Sequence, residues 1–141
     1  EVMKVILSIK PEFANKIFNG TKKFEFRRTL FKNKEVKKII VYASAPISKV
    51  IGEFEIDRIF HEELELLWNQ TSKFSGITED YYMQYFNGKE NGYAIEVKNP
   101  KKYKTNLCIK QNYGLNPPQS FAYLRESIAQ NRKSLRHNTS F

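Results

Sequence analysis

The sequence predicts an α+β fold, and three observations predict it. Short apolar, β-branched runs at Val5-Ile6-Leu7-Ser8-Ile9, Ile39-Ile40-Val41-Tyr42-Ala43 and Tyr93-Ala94-Ile95-Glu96-Val97 read as strands. Two helical insertions separate strands, which gives α+β. No glycine-rich phosphate loop and no internal repeat accompanies them. One domain over residues 4–131 is expected, with a basic, flexible tail at 132–141.

The elements follow in order. Val5 to Ile9 has no helical period and reads as a buried strand. Pro11 suits a first helical position, Phe13, Ala14, Ile17 and Phe18 recur at helix spacing, and Asn19-Gly20 closes that helix. The stretch Lys22-Lys23-Phe24-Glu25-Phe26-Arg27-Arg28 then alternates charge with phenylalanine, the period of a strand. Phe24 and Phe26 share a face with Lys22 and Arg28, and Lys23, Glu25 and Arg27 share the other. Burying each phenylalanine is worth roughly 1.5 to 3 kcal/mol. The phenylalanine face should therefore win the core and leave Glu25 and Arg27 lining a polar cleft.

Residues 29–35 read as a polar link beside a lysine cluster, and Ile39 to Ala43 as a central strand buried on both faces and ended by Pro46. From Gly52 the chain alternates to Ile59, with Gly52 marking a bulge. A helix is expected from His61 to Trp68, with its acidic first turn favourable to the helix dipole. Thr78 caps another, which carries Tyr81, Tyr82, Tyr85 and Phe86 to Asn87-Gly88. Tyr93 to Val97 is the last clear strand, and Ser120 opens a helix running to about Arg132.

Composition narrows the partners. The formal net charge of +9 favours a polyanion such as nucleic acid, because clustered cations release condensed counterions. Cys108 is the single cysteine and the two histidines are scattered, which leaves no disulfide and no metal-ligand spacing, so no cofactor or metal is expected. No apolar run reaches membrane-span length and no signal-peptide pattern opens the chain, so a cytoplasmic location with no membrane partner is expected.

Gly20, Lys22, Glu25 and Arg27 stand at the spacing G-x-K-x-x-E-x-R, which resembles the signature of the ASCH domain family, a branch of the PUA-like β-barrels. Lys10-Pro11-Glu12-Phe13-Ala14, Tyr42-Ala43-Ser44-Ala45-Pro46, Ile51-Gly52-Glu53-Phe54 and Pro117-Pro118-Gln119-Ser120-Phe121 extend the likeness. The resemblance implies a mixed barrel of five or six strands with helices at its rim. It also implies RNA or a nucleoside-like small molecule as partner, since such domains include RNA-binding modules, ribonucleases and a nucleoside amidohydrolase.

The binding reading places Lys22, Lys23, Arg27 and Arg28 along a basic groove with Lys101 to Lys104, and Glu25, Ser44 and Gln119 as polar contacts. Tyr42, Tyr103, Tyr113 and Phe121 supply stacking faces. The hydrolytic reading makes Lys22 a base or oxyanion stabiliser, has Glu25 or Glu53 handle the proton, and has Arg27 grip a phosphate or carbonyl. Whether the chain is an enzyme stays open at this point; if it is one, a metal-independent ribonuclease or amidohydrolase is expected. In amidohydrolase-like members a threonine stands where this chain has Glu25, which weakens that branch. A structural ion pair is the competing role for Glu25 and Arg27. A third reading is a protein-interaction module presenting Glu62, Glu63 and Glu65.

Overall fold

A computed structural model of the chain describes residues 2–126. Among the described residues, six strands form one sheet in the order β2-β5-β4-β3-β1-β6. They are β1 (Val2–Ile9), β2 (Phe24–Arg27), β3 (Lys38–Ala43), β4 (Lys49–Glu63), β5 (Asn91–Leu107) and β6 (Phe121–Glu126). Only β1 and β3 run parallel, in register from Lys4 opposite Lys38 to Ile9 opposite Ala43, and every other neighbouring pair is antiparallel. A parallel pair needs a crossover. Here that crossover contains helix α1 (Pro11–Phe18) and strand β2, which pairs not with β1 but with β5 at the far edge.

The sheet is strongly bent but not closed. The expected barrel is corrected to an open six-stranded sheet whose edges are β2 and β6. The gap is spanned by a side chain. Arg27 on β2 donates to the Ser8 carbonyl of β1 at 3.2 Å and to the carbonyl and hydroxyl of Ser120, just before β6, at 3.2 and 2.6 Å. Bending comes from register shifts along β4. One lies beside Gly52, where a Cβ would meet the Phe18 ring at 2.5 Å and the Lys101 carbonyl at 2.6 Å. Only glycine lets β5 and α1 approach so closely.

Three apolar clusters follow from this bend. The largest lies inside the sheet against α1, where Val5, Leu7, Ala14, Ile17, Phe54 and Ile95 are buried. A second packs Phe24, Phe26 and Ala94 of the sheet against α2 (Leu64–Thr71) and α3 (Glu79–Tyr85), through Leu67, Tyr82 and Phe86. A third, under α4 (Ile109–Tyr113), contains Ile6, Ile40, Tyr42, Val50 and Ile109.

Three segments differ from expectation, each for a pairing reason. His61 to Glu63 remain in β4, where they pair with Tyr93 to Asn91, and Glu63 becomes the cap of α2 by accepting the Leu66 amide at 2.8 Å. The lysine-rich segment after Pro100 continues β5, because Asn99 takes φ 49° and Pro100 falls in a bulge where no ladder donor is needed. Residues 121–126 are a strand, not the start of a helix, because β1 has a free edge opposite β3 and takes β6 there. The remainder of that expected helix, the expected domain end at residue 131 and the tail at 132–141 lie outside the described residues.

Candidate functional site

The turn after α1 sets the site. Asn19 caps the helix, Gly20 adopts φ 88°, and the amides of Thr21 and Lys22 both donate to the Lys16 carbonyl, at 3.1 and 3.0 Å. That reversal delivers Lys22 ahead of β2, where strand alternation does not yet govern it. Its side chain enters the molecule and is only 2% exposed. The ammonium donates to the Ser75 carbonyl at 2.6 Å and lies 4.8 and 5.2 Å from the Phe26 and Phe13 ring centroids. Burial lowers its pKa to about 8, against the opposing pull of Glu25 and with help from Lys16.

The segment between α2 and α3 forms the wall that holds this lysine. Gly76 has φ 69°, and a Cβ there would lie 2.6 to 3.0 Å from the Cβ, Cγ and Cδ atoms of Lys22. Lys16 donates to the Gly76 carbonyl at 3.0 Å, and the Lys23 amide donates to the Phe74 carbonyl at 2.8 Å. The loop is therefore tied to α1 and to the start of β2 on both sides of the lysine stem.

Glu25 and Arg27 project together from the inner face of β2. They form an ion pair at 3.2 Å, with side chains 7% and 11% exposed. Arg27 is otherwise committed to Ser8 and Ser120, so its role is to fix the carboxylate and to tie the two sheet edges together. The second oxygen of Glu25 has no hydrogen-bond partner among the described residues.

These groups border a cavity of about 340 Å³. Of the residues anticipated from sequence, Lys22, Glu25, Arg27, Ser44 and Gln119 line it together, with Ser120 beside them. Lys10, Phe13, Tyr81, Tyr85 and Ser8 also line it and were not anticipated there. Tyr81 packs edge-on against Phe13 at 5.3 Å and accepts a hydrogen bond from Lys10 at 3.3 Å, while the Tyr85 hydroxyl donates to the Phe26 carbonyl at 3.0 Å. The signal for them was an i, i+4 pair of tyrosines on α3, interleaved with the core pair Tyr82 and Phe86.

Other anticipated residues sit elsewhere. Lys23 lies over the Phe74 ring at 4.3 Å, and Arg28 donates to the Tyr85 and Asn87 carbonyls at the end of α3. Tyr42 is buried in the cluster under α4, against which Tyr113 also packs. Tyr103 donates to Glu53 at 2.7 Å, and Glu53 pairs with Lys38 at 2.9 Å, so neither reaches the cavity. Lys101 and Lys102 pair with Glu53 and Gly52 on β4, and Phe121 packs edge-on against Phe31 at 5.9 Å. Glu62, Glu63 and Glu65 lie at the β4–α2 junction, where Glu63 is the helix cap.

The family model described as "ASCH domain" matches residues 7–104 of this chain. The chain belongs to the ASCH domain family. An ASCH domain-containing ribonuclease of Zymomonas mobilis is 31% identical over 137 residues, covering 94% of this chain and 91% of the relative. The crystal structure of an ASCH variant from Zymomonas mobilis superposes with a TM-score of 0.81 at 30% identity, covering 94% of this chain and 95% of the other. The large ribosomal subunit protein uL22 of Ureaplasma parvum is 29% identical over 122 residues, which is 86% of this chain but 39% of that protein. Among the described residues of this ASCH domain, no helix is long and apolar enough to cross a membrane. No group of three or more His, Cys, Asp or Glu residues that could hold a metal ion occurs among them.

Proposed function

We propose that this ASCH domain acts on RNA as a ribonuclease, taking one nucleotide into the cavity beside Lys22 and Glu25. The observation that carries the reading is Lys22 itself. A buried ammonium whose pKa is lowered to about 8, facing a carboxylate in a cavity of nucleotide scale, is poised for proton transfer near neutral pH. The likeness along nearly the whole chain to a protein named as a ribonuclease supports it.

The chemistry that fits these groups is attack by the ribose 2′-hydroxyl on the adjacent phosphate. Glu25 takes the 2′-hydroxyl proton, and the 2′-oxygen bonds to phosphorus while the bond to the 5′-oxygen breaks. The Lys22 ammonium offsets the charge gathering on the phosphoryl oxygens and gives a proton to the departing 5′-oxygen. The products are a 2′,3′-cyclic phosphate and a 5′-hydroxyl. Phe13 and Tyr81 supply faces for the base, and Lys10 places a cation at the mouth for a neighbouring phosphate.

Single-stranded RNA incubated with wild type, Lys22→Met and Glu25→Gln, with and without a chelator of divalent cations, tests this. Cleavage to cyclic-phosphate ends by wild type, lost in both folded variants, is the expected result. Equal cleavage by folded Lys22→Met would sink it. Recognition of RNA or a modified nucleoside without turnover is the second reading, and the Glu25–Arg27 pair favours it because one carboxylate oxygen is already engaged. It is chosen if intact ligand binds to wild type and Lys22→Met alone weakens that binding.

A further inference from the structure

A second hollow of about 460 Å³ lies beyond the end of β2, bordered by Arg28, Lys32, Lys89, His61 and Tyr93. We propose that it is a second nucleotide subsite, with cations for the phosphate and a His61–Tyr93 platform for the base. The proposal rests on the RNA reading of the first cavity and extends it.

Three features carry it. First, the His61 imidazole and the Tyr93 ring stack at 4.0 Å with an interplanar angle of 10°, yet neither belongs to an apolar cluster. His61 is exposed and Tyr93 half-buried, so the pair presents aromatic surface to a ligand and not to the interior. A base stacks on such a face whatever its identity. Second, the Arg28 guanidinium is held in place by the Tyr85 and Asn87 carbonyls, at 2.8 and 2.9 Å, through a single nitrogen. The other nitrogens of its fork face no described partner. With Lys32 and Lys89 it gives three cations against the one carboxylate of Glu90.

Third, the sheet register joins the two hollows. Arg27, of the first cavity, is the direct partner of Tyr93 across β2 and β5, and Tyr93 is the direct partner of His61 across β5 and β4. Directly paired residues point to one face of the sheet. At the spacing of adjacent strands the row Arg27–Tyr93–His61 spans on the order of 10 Å, a distance that neighbouring nucleotides of one strand bridge. Arg28 completes the link, since it follows Arg27 and binds the carbonyl of Tyr85, whose side chain lines the first cavity.

The test compares uridine 5′-monophosphate with a short 2′-O-methyl oligouridylate, which has no 2′-hydroxyl to attack and so stays intact, on wild type, Lys32→Glu/Lys89→Glu, His61→Ala and Lys22→Met, titrated at several salt concentrations. All substituted side chains in the first two variants are exposed, and thermal melts confirm that they fold. The expected result is that both variants bind the oligonucleotide about tenfold or more weakly and bind the mononucleotide as wild type does. In the charge-reversed pair, the dependence of log affinity on log salt should be shallower by about 0.7 for each phosphate no longer neutralised. Unchanged oligonucleotide affinity and salt slope in both variants, while Lys22→Met abolishes binding, would overturn the subsite and leave the first cavity's reading intact. Wild type that binds neither probe overturns both.

Discussion

Two polar clusters in this molecule contain the same kinds of group and behave in opposite ways. On one side, Lys38 pairs with Glu53 at 2.9 Å and Tyr103 donates to the same carboxylate at 2.7 Å. Burial, the largest single influence on Glu53, pushes its pKa up, but the hydrogen bonds from Lys38 and Tyr103 and the charges of Lys38 and Lys4 act together the other way and the net shift is downward. On the other side, Lys22 is buried more deeply, feels the charge of a Glu25 that is ion-paired to Arg27 and has a neutral carbonyl as its hydrogen-bond partner. Its pKa falls to about 8. The first cluster is satisfied and partly exposed, as structural ion pairs are. The second keeps a cation where burial disfavours its charge, and that is the feature the proposed ribonuclease reading uses.

The sharpest way to break this comparison is to neutralise each lysine. Lys22→Met should lower turnover or affinity for RNA at least about a hundredfold, the scale of losing one acid–base or charge-stabilising group. Its stability at neutral pH should hold or rise by up to about 3 kcal/mol, since a costly buried charge is removed. A variant that is inactive and more stable is the signature of a functional charge. Arg27→Ala should act the other way and cost about 3 to 5 kcal/mol, because it strands buried Glu25 and releases Ser8 and Ser120 from the β2 edge. Denaturant unfolding of the variant checks it, and a loss under about 1 kcal/mol would show that the edges hold without it.

The same buried lysine makes stability depend on pH. Its folded pKa of about 8 lies below the ordinary 10.5, so between those values the unfolded chain binds a proton that the folded chain does not. Stability then rises with pH across that window, by about 2 to 3 kcal/mol in total. Other groups titrate there too, so the quantity to measure is the difference between wild type and Lys22→Met from pH 7 to pH 10.5. The advantage of the variant should be greatest at pH 7 and vanish at the upper end; a constant difference would mean that Lys22 is not perturbed.

The features legible in the sequence follow the same division. Period-2 alternation placed Phe24, Phe26, Glu25 and Arg27 on their proper faces, because four residues of strand suffice to decide which edge is buried. It also put Lys22 on the phenylalanine face, and the ammonium lies 4.8 Å from the Phe26 ring; the Gly20 turn and the Ser75 carbonyl that complete its burial are tertiary and left no local pattern. The helix expected from Ser120 concealed β6, since a six-residue strand is recognised by the free edge it fills, and that edge belongs to β1 at the other end of the chain. The closed barrel failed for a related reason: closure needs a ladder between β2 and β6, and local pattern says nothing of whether an arginine stands in its place. Phe13, Tyr81 and Tyr85 reach one cavity from two helices, a meeting that tertiary packing alone decides.

Gly76→Ala tests whether the wall around Lys22 is as close as its contacts indicate. The substitution forces a non-glycine residue to φ 69° and drives a methyl group against the lysine stem. A cost of about 1 to 2 kcal/mol is expected from backbone strain and displacement together. The informative readout is the pH dependence of activity, because a displaced ammonium gains access to water and its pKa should move up from about 8 toward its ordinary value. Lost stability with an unmoved pH profile would leave Gly76 a purely structural residue.

The smallest effects belong to the satisfied cluster, and their smallness sharpens the contrast. Glu53→Gln removes the charge that Lys38 and Tyr103 share, but the pair is partly exposed and screened, so a loss of at most about 1 kcal/mol is expected. Because the folded pKa of Glu53 is lowered, its contribution is present above the unfolded carboxylate pKa and fades as pH falls through the folded one. The difference in melting temperature between wild type and Glu53→Gln should therefore be seen at pH 7 and shrink in acid, with RNA turnover unchanged throughout. Turnover that fell with this substitution would mean that the two clusters communicate, and that a satisfied ion pair on the far side of the sheet supports the chemistry at Lys22.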